Sequence, residues 1–220
     1  MSMLAVAEAA DRLGVSTRQV QHLVASGDLS SVVRGFVDAS SVDRLIAVRQ
    51  GGRARAWSEA TAWGAIALLS GMEATWMGES QRSRMRARLR ELAAEELVAR
   101  SRNRAVVRRY AGHPSAAGRV RAATVSTHLA GRRLGLADVN AVDAYVSADD
   151  IDEIVRSHAL LVDSSGTFTL RATAMAMDVV ADLVSDRDVV AALDLAESLD
   201  VRERSTGTHA LQDALKAFRG

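Results

Sequence analysis

The sequence predicts a mostly helical protein with small β elements, and three observations lead there. One proline in 220 residues and an aromatic share of 4% leave few helix breakers and favour an aliphatic core. Apolar residues recur at three- and four-residue spacing in several segments, the period of a helix with one buried face. Short valine-containing runs bounded by glycine, aspartate and serine supply the strands.

Composition narrows the function. There is no cysteine, which excludes disulfides, thiolate nucleophiles and sulfur-bound metals. No basic segment leads into an apolar run near Met1, and no apolar stretch reaches the ~18 residues of a membrane span, so a cytoplasmic protein is expected. Charge is unevenly spread. Residues 1–50 hold 5 basic and 5 acidic side chains, residues 51–136 hold 16 and 6, and residues 137–220 hold 7 and 16. The chain is therefore neutral, then +10, then −9, which marks three segments: an N-terminal unit, a basic helical middle and an acidic α/β region. Either the last two meet different partners, or they fold together and neutralise one another.

The first segment opens with Val6, Ala9, Ala10 and Leu13 on one helical face. Gly14 can take the left-handed conformation that closes the helix. Ser16 and Gln19 make a capping-box pattern for a second helix, with Val20, Leu23 and Val24 as its buried stripe and Gly27 as its stop. Ala10 is small where the two helices must cross. A small residue, a glycine turn, then buried Val15, Val20 and Leu23 form the helix-turn-helix pattern. Leu29–Val37 predicts a hairpin turning at Arg34-Gly35, and Asp38 caps a third helix with Val42, Leu45 and Ile46 inward.

The stretch AVAEAADRLGVSTRQVQHLVASGDLSSVVRGFVDASSVDRL resembles the winged helix-turn-helix modules of the excisionase and MerR type, with a short wing poor in basic residues. The full expectation is thus an N-terminal winged helix-turn-helix over residues 1–50, followed by a helix-rich α+β body. The resemblance implies that the second helix enters the major groove of double-stranded DNA. The DNA-binding set is then Ser16, Thr17, Arg18, Gln21, His22 and Arg34. Arg18 and Gln21 are the preferred base readers, since arginine pairs with guanine and glutamine with adenine. Ser16 and Thr17 lie at a helix N-terminus suited to phosphate, and Arg34 would meet phosphate from the wing.

In the middle segment, Gly51-Gly52-Arg53-Ala54-Arg55 reads as a linker and Ser58 as the cap of an apolar helix ending at Gly71. Trp57, Trp63 and Trp76 are expected as core or interface anchors, with a base-stacking platform as the alternative. QRSRMRARLREL places arginine at every second position from Arg82 to Arg90, yet Met85, Leu89 and Leu92 keep helical spacing. Arg100, Arg102, Arg104, Arg108 and Arg109 extend the basic run, toward either DNA phosphates or the acidic third.

In the acidic segment, a strand is expected over 141–146 and a helix capped by Ser147-x-x-Asp150 carrying Ile151, Ile154, Val155 and His158. Leu160–Val162 and Thr167–Leu170 flank Asp163-Ser164-Ser165-Gly166 as a hairpin signal. Helices follow at Val189–Ala196 and after Asp200-x-x-Glu203, the last with Leu211, Leu215 and Phe218 inward. Asp149, Asp150, Asp152, Glu153, Asp186, Asp188 and Asp194 match no calcium loop. No HExxH, GxSxG or nucleotide-binding glycine loop occurs, so neither an enzyme, a metal site nor a cofactor is expected.

Over the whole chain, AEAADRLGVSTRQVQ, RARAWSEATAWGAIALLSG and AALDLAESLDVRERSTGTHAL resemble actinobacterial antitoxins of toxin–antitoxin operons. That resemblance implies repression of the protein's own operon as a homodimer or toxin-bridged hetero-oligomer. It also implies neutralisation of a cognate toxin, a PIN-domain ribonuclease in the VapB-type arrangement, or an AbiE-type nucleotidyltransferase. The alternative is a stand-alone MerR-like regulator that senses a small molecule.

Overall fold

The computed structural model describes residues 3–25, 29, 31–33, 35–50, 55–127, 134, 142–186, 188–198 and 200–220. These residues are mostly helical with two small sheets, an α+β arrangement. Among them no helix is long and apolar enough to cross a membrane.

The first unit runs β1 (Met3–Ala5), α1 (Val6–Leu13), α2 (Thr17–Ala25), β2 (Ser31–Val33), β3 (Phe36–Asp38) and α3 (Ala39–Gln50). Its strands form an antiparallel sheet of order β1-β3-β2, with Leu4 opposite Val37 and Ser31 opposite Val37. Leu4, Ala9, Ala10, Val20, Leu23, Leu29, Val37 and Val42 bury one core, with Val15, Leu45 and Ile46 packed against it. The apolar periodicity of α1 and α2 is therefore the periodicity of that core. The expected hairpin is present as β2 and β3, while Arg34 at its turn, Gly27 and Gly51–Ala54 of the expected linker lie outside the described residues.

The body adds α4 (Glu59–Leu69), α5 (Glu79–Glu91), α6 (Ala94–Ser101), a 3-10 turn (Arg102–Arg104), β4 (Val106–Ala111), α7 (Ala117–Ala122) and β5 (Val125–Ser126). Then come β6 (Val142–Ser147), α8 (Ile151–Ser157), β7 (Leu161–Val162), β8 (Phe168–Thr173), α9 (Met177–Asp186), α10 (Val189–Ala196) and α11 (Val201–Arg219). Its sheet has the order β5-β6-β8-β4-β7, antiparallel except for the parallel pair β6 and β8. Strands from 51–136 and from 137–220 thus share one sheet.

The two faces of that sheet are buried differently. Val142, Ala144, Val146, Phe168, Leu170 and Ala172 pack on α7 and α8. The alternate residues Asp143, Tyr145, Thr169, Arg171 and Thr173 face the other way, as the two-residue period of a strand requires. Tyr145 joins the larger core built by α4, α5, α6, α9, α10 and α11. Trp63 is fully buried there, its indole N–H shared between the Arg104 carbonyl (2.9 Å) and Thr173 Oγ1 (3.0 Å), its ring edge-on to Tyr145.

Local expectations fare unevenly. Asp200 caps α11 by accepting from the N–H groups of Arg202 and Glu203, and Leu211 and Leu215 are buried as read. Ser58 starts α4, but its hydroxyl meets Thr61 Oγ1 at 2.8 Å and no backbone amide. The hairpin expected around Asp163–Gly166 does not form. The turn is there, with Gly166 N–H on the Asp163 carbonyl, yet β4 lies between β7 and β8. Gly166 lies so close to Tyr110 that a Cβ would fall 2.1 Å from its carbonyl carbon and oxygen. Such an approach is open to glycine alone, and it admits the third strand.

Candidate nucleic-acid interface and the buried charge network

At the end of α1, Gly14 adopts φ 64° and ψ 35°, the left-handed conformation that closes a helix. The Val15 N–H then returns to the Ala10 carbonyl (3.0 Å) and delivers Val15 to the core edge. Ser16 Oγ accepts from the Gln19 N–H at 3.2 Å, the N-terminal half of the capping box. From this start α2 buries Val20 and Leu23 and turns Thr17, Arg18, Gln21 and His22 outward beside exposed Ser16. All five predicted residues of this helix and its cap therefore share solvent-facing positions. Arg18, Gln21 and His22 make no side-chain hydrogen bond or ion pair among the described residues, so their donors and acceptors are available. Arg12 and Asp43, both about half exposed (49% and 50%), link α1 to α3 at 3.3 Å. Such a pair contributes at most about 1 kcal/mol.

The arginines of the middle segment divide into two groups. Along α5, Met85 and Leu89 form the narrow apolar stripe expected from their spacing, and Leu92 is buried just beyond it. Arg84, Arg88 and Arg90 are exposed on that helix and no carboxylate lies within ion-pair distance of them among the described residues. Arg90 instead stacks over Phe218 at 5.9 Å. Arg104 has the opposite fate: it is 2% exposed. Its Nε donates to the Tyr145 hydroxyl (3.0 Å) and one terminal nitrogen to the Ser101 carbonyl (3.2 Å) and Glu197 Oε1 (2.7 Å). The other donates to Asp194 Oδ1 (2.7 Å) and Glu197 Oε2 (2.8 Å). All five guanidinium donors are thereby used.

Arg171 extends this network. It grips Asp143 with two bonds (2.9 and 3.1 Å) and approaches Asp194 Oδ2 at 3.4 Å. The Tyr145 hydroxyl donates to Asp194 Oδ1 at 2.7 Å. Burial works against the charge on Arg104, and the carboxylates of Glu197 and Asp194 more than restore it, so the guanidinium stays protonated. Burial also holds the Tyr145 phenol neutral, far above its ordinary range. The network is a bolt between sheet and helices. Of its members, the sequence marks Arg104 and Asp194 only as parts of charge runs. Asp143, Tyr145, Arg171 and Glu197 carry no local signal beyond the alternation in VDAYVS and FTLRAT.

The tryptophans are anchors. Trp57 is buried beneath Arg100, 5.9 Å from its ring, and the half-buried Trp76 donates to the Ala60 carbonyl at 3.0 Å. Among the described residues no group of three His, Asp or Glu side chains is placed to hold a metal ion. In the acidic third, Asp149, Asp150, Asp152 and Glu153 stay exposed together around the start of α8. No known protein family, curated protein or solved structure matches this chain.

Proposed function

We propose that residues 3–50 act as a winged helix-turn-helix that binds operator DNA through α2, and that the protein is an antitoxin-type repressor of its own operon. The observation that carries the DNA-binding reading is the division of α2. Val20 and Leu23 seal the core while Ser16, Thr17, Arg18, Gln21 and His22 form one exposed polar ridge, of which Arg18, Gln21 and His22 have no side-chain partner among the described residues. A helix held this way can lie in the major groove, with Arg18 and Gln21 on base edges and the amides near Ser16 and Thr17 on a phosphate. Two copies on a two-fold site supply the specificity of one operator, so the working form is a homodimer or a toxin-bridged assembly.

The partner reading rests on charge. Asp143, Asp194 and Glu197 are consumed inside the protein, but the carboxylates around α8 are not. They offer a basic RNA-degrading toxin, a PIN-domain ribonuclease, the same sign of charge as its substrate backbone. Fluorescence anisotropy with DNA from upstream of the protein's own coding sequence tests the first half: that duplex should bind more tightly than its scrambled counterpart. Light scattering of the protein mixed with the product of the adjacent gene tests the second. Absence of a complex removes the antitoxin reading and leaves the DNA-binding one.

A further inference from the structure

A cleft of about 370 Å³ lies between α4 and α5, lined by Thr61, Met77, Gln81, Arg84, Met85 and Arg88. That volume falls within the range of small-ligand sites. Arg84 and Arg88 stand one turn apart, where like charges repel, and no carboxylate pairs with either among the described residues. Among the described residues Arg84 spends only its Nε, on the Ser80 carbonyl at 3.2 Å, and Arg88 makes no side-chain hydrogen bond. Gln81 uses its carbonyl oxygen on the Gly78 N–H at 3.0 Å, which leaves its amide N–H groups as donors. The other side of the lining is apolar: the thioethers of Met77 and Met85, both largely buried.

We infer that this cleft binds a phosphate monoester with a planar or apolar body, of mononucleotide size. Two guanidiniums offer the forked donors that phosphate oxygens accept, and the polarizable methionines suit a flat ring. Bound phosphate relieves the repulsion between Arg84 and Arg88. The site stands independently of the DNA-binding assignment, and its test contains no operator.

Isothermal titration of the whole protein with 5′-AMP, adenosine and inorganic phosphate reads the site. Saturable binding of 5′-AMP is expected, stronger than that of phosphate, with none for adenosine. Arg88→Ala should weaken it about tenfold or more, the loss of one charge-assisted fork. Arg86→Ala removes the same charge from the same helix outside the cleft and should change binding less than twofold. Matching circular dichroism melts keep the comparison valid. The proposal is overturned by absent 5′-AMP binding, by adenosine binding equally well, or by equal effects of the two substitutions. It is also overturned if a short duplex of unrelated sequence displaces 5′-AMP, which would assign the arginines to a nucleic-acid backbone.

Discussion

Arg104 and Asp194 meet at 2.7 Å although they stand 90 positions apart in the chain. One belongs to the strongly basic middle of the sequence and the other to its acidic third, and both side chains are nearly shut off from water. Part of the charge asymmetry along the chain is therefore internal neutralisation. Arg104→Met should destabilise the fold by about 3–5 kcal/mol, read from urea unfolding, because Asp194 and Glu197 would remain buried with only the more distant Arg171 (3.4 and 3.9 Å) to neutralise them. A loss below about 1 kcal/mol would show that water reaches the network.

Helices α10 and α11 touch at Gly207. A Cβ there would fall 2.4 Å from the Ala196 nitrogen and 2.5 Å from the Ala192 carbonyl oxygen, both backbone atoms. Gly207→Ala, which an isolated helix would welcome, should instead cost about 1–3 kcal/mol as the helices are forced apart. Thermal unfolding distinguishes the two signs.

Asp163 accepts from the Ser165 hydroxyl (2.7 Å) and backbone N–H (2.8 Å), and these bonds hold its carboxyl below the ordinary aspartate range. The unfolded chain then binds the proton more readily than the folded one. Its contribution is present above the unfolded value and is lost as pH falls through the folded one. The melting-temperature gap between the natural protein and Asp163→Ala should accordingly close on acidification. A gap that is constant with pH would mean the turn does not depend on the charge.

Operator binding should weaken steeply with salt, since each phosphate neutralised by arginine contributes about −0.9 to the slope of log affinity against log salt. Anisotropy titrations across a salt series measure that slope directly. A flat response would remove phosphate contact from the account.

What was legible in the sequence follows the range of the interactions. Gly14, the Ser16–Gln19 cap and the Val20–Leu23 stripe act over a few residues, and α1, α2 and the outward positions of Ser16, Thr17, Arg18, Gln21 and His22 could be read from them. The Met85–Leu89 spacing revealed α5 despite alternating arginines for the same reason. The body's topology could not be read this way. Nothing local announces that β4 enters between β7 and β8, because the space for it depends on Gly166 meeting Tyr110 far along the chain. Nor does FTLRAT disclose that its polar face is covered by helices, so Arg171 would pass for a solvated residue until Asp143 and Asp194 are placed opposite it.

The central assignment, that α2 reads bases, is tested most directly by Arg18→Ala on a panel of operator duplexes, each altered at one base pair. Affinity for the natural operator should fall by about 1–3 kcal/mol, together with relaxed discrimination at a single position, while nonspecific binding is little changed. Unchanged affinity with an intact base preference at every position would contradict it.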